Sequence, residues 1–111
     1  MSPGVFDLLV YHGDSYRWQF TFWSDTAKQI PSDLTGATVN SEIRDKPGGS
    51  VITSLDCVVT LPNIVVVTMT STMSSLLTSM GGVWDLQLTY PSNDIATVVA
   101  GYVRVTMDVT L

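Results

Sequence analysis

Ser15-Tyr16-Arg17-Trp18-Gln19-Phe20-Thr21-Phe22-Trp23 alternates strictly by twos. Tyr16, Trp18, Phe20 and Phe22 fall on one side, and Arg17, Gln19, Thr21 and Trp23 on the other. Successive side chains of an extended strand point to opposite faces, so this stretch predicts a half-buried β-strand with an aromatic inner face. Four aromatic rings on one face supply a large share of a small core. Trp23 departs from the pattern as a large ring on the polar side. Such a tryptophan either anchors an interface or lies under a covering loop.

The same alternation recurs downstream. Ala37, Val39, Ser41 and Ile43 alternate with Thr38, Asn40, Glu42 and Arg44. Val51, Leu55, Cys57, Val59 and Leu61 form another inward set, followed by Pro62-Asn63 and a strand over Ile64 to Thr70, which together read as a hairpin. Trp84, Leu86, Leu88 and Tyr90 oppose Asp85, Gln87 and Thr89. Ile95 to Ala100 is followed by Gly101 as a bulge or bend. Val103, Val105, Met107, Val109 and Leu111 form the last inward set, with Arg104, Thr106, Asp108 and Thr110 outside. Turns are marked at Gly13-Asp14, Asp33 to Gly36, Lys46 to Gly49 and Pro91 to Asp94. One segment changes period: Met73, Leu76, Leu77 and Met80 sit at i, i+3, i+4 and i+7, which predicts a helix of two to three turns over Ser71 to Met80. Thr70 or Ser71 serves as its N-cap, and Gly81-Gly82 closes it.

Short strands with turns at regular spacing predict an all-β chain: an antiparallel β-sandwich of seven to eight strands with one short helix. The expected organisation is an N-terminal strand or arm over residues 1–12 and a single sandwich domain over 13–111. Val5 to Tyr11 reads as an edge strand, or Met1 to Tyr11 as an extended arm donated to a neighbour's sheet edge. Val5, Phe6, Leu8 and Trp23 are the candidate interface residues.

The 111 residues suit one domain that can bury a real core without disulfides or metals. Apolar residues make up 45% and charged residues only 14%, where about 25% charged is usual. Lys28 and Lys46 are the only lysines, and Ser and Thr replace the missing charge. Thr-rich strands carry hydroxyls outward in any case, but a weakly charged surface with apolar area to spare suits a protein that lives in an assembly. The net charge of −5 and five scattered basic residues argue against direct nucleic-acid binding and against an anionic membrane surface. No apolar run is long enough to span a membrane, and Met1 to Gly4 lacks the basic start of a signal peptide.

Catalytic chemistry finds little support. His12 is the single histidine and stands beside a turn, with no nucleophile-elbow sequence to serve. One His and one Cys cannot build a zinc site, and Asp25, Asp33 and Asp45 are too dispersed for calcium. Glu42 and Asp85 fall on outward strand faces, as acids in many sandwiches do. No catalytic residue, metal or cofactor is expected. Cys57 falls on an apolar side, where free cysteine behaves as a small buried hydrophobe.

Several stretches occur in a telling order: Gly13-Asp14 before an aromatic strand, Ile30-Pro31-Ser32-Asp33-Leu34-Thr35-Gly36-Ala37-Thr38-Val39, Glu42-Ile43-Arg44-Asp45, the Ser/Thr-led helix, Gly82-Val83-Trp84-Asp85-Leu86, Ala100-Gly101 and a final Val-x-Val-Thr-x-Asp-Val-Thr strand. Over about Gly13 to Thr110, this order resembles small β-sandwich structural proteins of tailed-bacteriophage virions. It is also similar to the amino-terminal domain of phage upper baseplate proteins, which continue into a further domain where this chain stops. The resemblance implies a virion structural protein, made in the bacterial host cytoplasm, that binds other virion proteins and forms a homo-oligomer. A capsid cement or decoration role is slightly favoured over a tail or baseplate role. The other reading is a carbohydrate-binding module, which needs exposed aromatics beside polar groups in a concavity.

Overall fold

A computed structural model describes residues 4–25 and 27–107. In chain order the elements are β1 (Gly4–Val5), β2 (Leu8–Tyr11), β3 (Tyr16–Thr21), β4 (Thr38–Arg44), β5 (Val51–Thr60), β6 (Ile64–Met69), α1 (Ser71–Ser74), β7 (Gly82–Thr89) and β8 (Ile95–Thr106). Among the described residues the chain is mostly β, with two sheets and one short helix.

The first sheet runs β1/β2, β8, β7, β4 and the first half of β5, and the second runs from the other half of β5 through β6 to β3. β5 serves both sheets. Thr53 and Leu55 pair with β4, whereas Asp56 to Thr60 pair with β6. One continuous strand therefore closes one side of the molecule. On the opposite side the two sheet ends meet through side chains. Tyr11 donates its amide to the Tyr16 hydroxyl at 2.8 Å, and the Phe6 and Phe20 rings meet edge to face at 5.4 Å.

The period-two alternation places β3, β4, β6 and β7 as read. Val39, Ser41 and Ile43 face in from β4; Val65, Val67 and Met69 from β6; Trp84, Leu86 and Leu88 from β7. Tyr16, Trp18 and Phe20 pack against the same buried cluster from β3. Ser41 is a buried hydroxyl, and it donates to the Asp85 carbonyl at 2.8 Å, which satisfies it. At the 33–36 turn, the Thr35 hydroxyl and amide both donate to Asp33, at 2.6 and 3.0 Å, and hold its carboxyl below the usual carboxylate range.

Three expectations need correction. First, pairing is not wholly antiparallel. β1 and β2 run parallel to β8, so the first sheet is mixed. Alternation reports which face a residue occupies and carries no information about strand direction.

Second, two bulges shift the phase. Between Ile43 and Arg44 the partner on β5 jumps from Thr53 to Val51, and between Leu86 and Gln87 the partner on β8 jumps from Val99 to Thr97. An extra residue in one strand turns everything beyond it to the other face. Val51 is thus exposed, with Ile52 packed inward in its place. The β8 bulge lies at Val98 and not at Gly101, which is paired with Trp84 in register. Leu61 and Met107 are exposed as well; Val109 and Leu111 lie outside the described residues.

Third, the helix is a single turn. Thr70 caps it as expected, accepting from the Met73 amide at 3.2 Å. Then Leu76 and Leu77 donate three residues back, to Met73 and Ser74, and the α-helix ends. Ser74 and Ser75 bond back to the Ser71 carbonyl, and Ser74 also donates to the Asp14 carbonyl at 2.7 Å. Such side-chain bonds compete with helix propagation. Leu77 is buried, but Leu76 is exposed and Met80 is 90% exposed, so no four-residue stripe forms.

Candidate functional site

The N-terminal segment decides where the surface features lie. Leu8 and Val10 point into the core, and Leu8 is 0% exposed. Between β1 and β2 the chain breaks at Phe6-Asp7, and side chains anchor the break. The Phe6 carbonyl accepts the Trp84 indole N–H at 2.7 Å, and an Asp7 carboxylate oxygen accepts the Tyr102 amide at 2.9 Å. Gly101 makes room for this crossing: a Cβ there would meet the Phe6 carbonyl oxygen at 2.2 Å. The segment is therefore a docked edge strand of its own chain.

This placement sorts the four candidate interface residues. Val5 is 84% exposed, and Phe6 is partly exposed with its ring against Phe20. Leu8 is corrected from interface to core, because alternation in Leu8–Tyr11 sends Leu8 and Val10 inward and Leu9 and Tyr11 outward. Trp23 is 37% exposed and bridges to Pro31 in the loop after β3. That loop is held by Asp25, which accepts from the Gln29 and Ile30 amides, and does not bury the ring. Val5, Phe6, Leu9 and Tyr11 are exposed residues of the same N-terminal segment, while Trp23 stands past the far end of β3.

Beside this apolar edge, the outer face of the first sheet holds a cleft of about 520 Å³. Its lining includes Val5, Glu42, Arg44, Val83, Asp85 and Tyr102, with the turn at Pro47-Gly48 as one wall. Glu42 lies directly opposite Asp85 across β4 and β7. Arg44 pairs with Glu42 at 3.1 Å and donates to the Gly49 carbonyl at 2.7 Å. Partial burial, then the neighbouring Glu42, push the Asp85 carboxyl up, and Arg44 opposes them. Tyr102 is 60% exposed, with Arg104 over its ring at 5.7 Å. Tyr102 was absent from the sequence-derived candidates. Its parity with Arg104 and Thr106 marks it as outward, but the apolar residues around it hide that signal.

Like charges facing each other across strands destabilise a sheet. The raised Asp85 carboxyl means that the folded chain holds this proton more tightly than the unfolded chain. Its ionisation therefore costs stability above the ordinary carboxylate range, and the cost disappears as pH falls through the raised value. Asp85→Asn is expected to stabilise the protein at pH 7 by less than about 1 kcal/mol, allowing for solvent screening. The gain shrinks toward zero in acid, as urea titrations at several pH values will show.

His12 lies at 3.0 Å from the Ser75 carbonyl through Nε2, a contact that ties the β2 turn to α1. Cys57 is half-buried, and burial together with Asp56 pushes its thiol up to about 11. The thiolate is the reactive form. Native protein is therefore expected to take up iodoacetamide at pH 8 at least tenfold more slowly than urea-unfolded protein, by mass spectrometry. Among the described residues, no three His, Cys, Asp or Glu side chains come together to hold a metal ion. A comparison with protein-family models and with curated proteins finds no match to this chain.

Proposed function

We propose that this chain is a β-sandwich structural protein of a tailed-phage virion that works by binding neighbouring virion proteins. Capsid cement or decoration is favoured over a tail or baseplate role. The observation that carries the reading is the exposed apolar edge of Val5, Phe6, Leu9 and Tyr11, on a chain with few charges. Leu9 is 67% exposed although it sits in a strand that is firmly docked. Apolar side chains held rigidly at a surface lose little entropy on binding, so they suit a permanent interface. Many copies on one particle can each contribute a modest contact, and the sum is large.

One observation favours a second reading, a carbohydrate-binding module. The cleft sets exposed Tyr102 beside Glu42, Asp85 and Arg44, the combination of aromatic face and polar groups that a sugar ring needs. Mass in solution, by chromatography with light scattering at several concentrations, separates the two. The virion reading expects an oligomer whose size is indifferent to added glycans. A clean monomer whose tryptophan fluorescence shifts with a particular glycan supports the module instead.

A further inference from the structure

We propose that the cleft on the outer face of the first sheet is a binding site for an organic cation, a guanidinium carried on a short aliphatic stem. The inference gives the cleft a ligand other than the sugar of the second reading, and it rests on neither reading.

Strand register builds the cleft from two transverse rows. In the first, Glu42 lies opposite Asp85, Asp85 opposite Ala100, and Ala100 beside Val5. In the second, Arg44 lies opposite Val83 and Val83 opposite Tyr102. Both rows are charged on the β4 side and apolar toward the N-terminal strand. Ala100 is the smallest side chain of either row, so the floor is low at its centre. The volume of about 520 Å³ falls within the range of about 300–1,000 Å³ usual for small-ligand sites.

Charge decides what the cleft takes. Glu42 and Asp85 contribute −2 and Arg44 contributes +1, a net charge of −1 on the lining. Arg44 is already committed, to Glu42 at 3.1 Å and to the Gly49 carbonyl at 2.7 Å. Among the described residues this is the one ion pair, so the half-buried Asp85 carboxylate is left without a counter-charge. Outside the strand ladder only the Asp85 backbone carbonyl is engaged, by the Ser41 hydroxyl. Arg104 does not supply the missing charge, because it lies over the Tyr102 ring at 5.7 Å. A partly desolvated carboxylate that faces a like charge is unfavourable, and a bound cation relieves both costs. The upward push on the Asp85 carboxyl from burial and Glu42 agrees with that need.

The form of the cation follows from the surroundings. Calcium takes six to eight oxygens, more than two carboxylates provide. A neutral sugar leaves the Glu42–Asp85 repulsion in place. A guanidinium is weakly hydrated, and its planar fork donates two parallel hydrogen bonds to one carboxylate. From Asp85 its stem runs over Ala100 toward Val5, which is 84% exposed and has apolar area to bury.

The test titrates pentylguanidinium chloride into the full chain and follows backbone amide resonances. Saturable shifts centred on Asp85, Ala100 and Tyr102 are expected. Pentylurea, which has the same shape without the charge, should bind at least tenfold more weakly. Asp85→Asn should weaken pentylguanidinium binding at least fivefold without lowering the melting temperature. Asp14→Asn, which removes an equal charge from the exposed turn after β2, should leave binding unchanged. A capped arginine that binds more tightly than pentylguanidinium would mark a protein-borne arginine as the source, and the reverse order a free cation; both support the site. Equal binding of pentylurea, wild-type affinity in Asp85→Asn, equal weakening in Asp14→Asn, or a glycan that moves these amides when pentylguanidinium does not would each overturn the proposal.

Discussion

Trp84→Ala is expected to destabilise the protein by about 4 kcal/mol, the cost of a large aromatic-to-alanine truncation in a packed core. Trp84 projects from β7, which is flanked by strands on both sides, into the cluster shared by both sheets. Its ring lies 5.8 Å from Phe20 on the facing sheet, and its indole N–H holds the Phe6 carbonyl at 2.7 Å. Truncation therefore opens a cavity, loses an aromatic contact between the sheets and orphans the carbonyl at the β1–β2 break. Trp84→Phe separates these effects, since it keeps most of the ring and removes the donor. An unsatisfied carbonyl near the surface costs about 1–2 kcal/mol. Urea unfolding of both variants gives the two numbers, and hydrogen exchange should show the Phe6 amide opening earlier in each.

Gly101→Val is expected to be nearly as damaging, at about 3 kcal/mol, for the opposite reason. A Cβ at this position would meet the Phe6 carbonyl oxygen at 2.2 Å, the Phe6 carbonyl carbon at 2.7 Å and an Asp7 carboxylate oxygen at 2.9 Å. Two of these atoms are backbone and cannot rotate away, so either β8 bends or the N-terminal strand leaves. The second response gives up the burial of Leu8 and Val10, worth roughly 1.5–3 kcal/mol for each side chain. Because Trp84 and Gly101 are cross-strand partners that meet the same Phe6 carbonyl, the double variant should cost less than the sum of the two single costs. Protease cleavage confined to the first dozen residues of Gly101→Val would identify release of that strand as the mechanism.

Those two positions also show how far the residues themselves disclose the fold. Alternation around Trp84 assigns its face without ambiguity, because burial of one side of a strand leaves a period-two trace. Gly101 is legible as a position where a side chain is unwelcome, but what crosses it is not. The crossing strand lies far away in sequence and runs parallel to β8, and alternation is blind to both partner and direction. The bulges at Ile52 and Val98 were hidden for a related reason. Each falls within an apolar stretch, so the extra residue looks like one more core position. Met73, Leu76, Leu77 and Met80 imitate a helical face, but the serines among them bond to local backbone and end the helix after one turn.

The surface was partly legible. Val5 stands exposed, and Trp23, which the residues leave open between an interface anchor and a ring under a loop, is 37% exposed. Leu8–Tyr11 is apolar at all four positions, so the strand period there does not tell which pair faces in. Glu42 and Asp85 were readable as outward acids on separate strands. Their direct opposition depends on the β4–β7 register, which no local pattern fixes.

The most direct test of the virion reading is quantitative mass spectrometry of tailed-phage particles purified on density gradients from cells that express this chain. The account predicts this chain in intact particles at many copies, in fixed ratio to the major capsid or tail protein and retained after a high-salt wash. Purified particles that lack the chain, while the surrounding lysate contains it, would contradict the account.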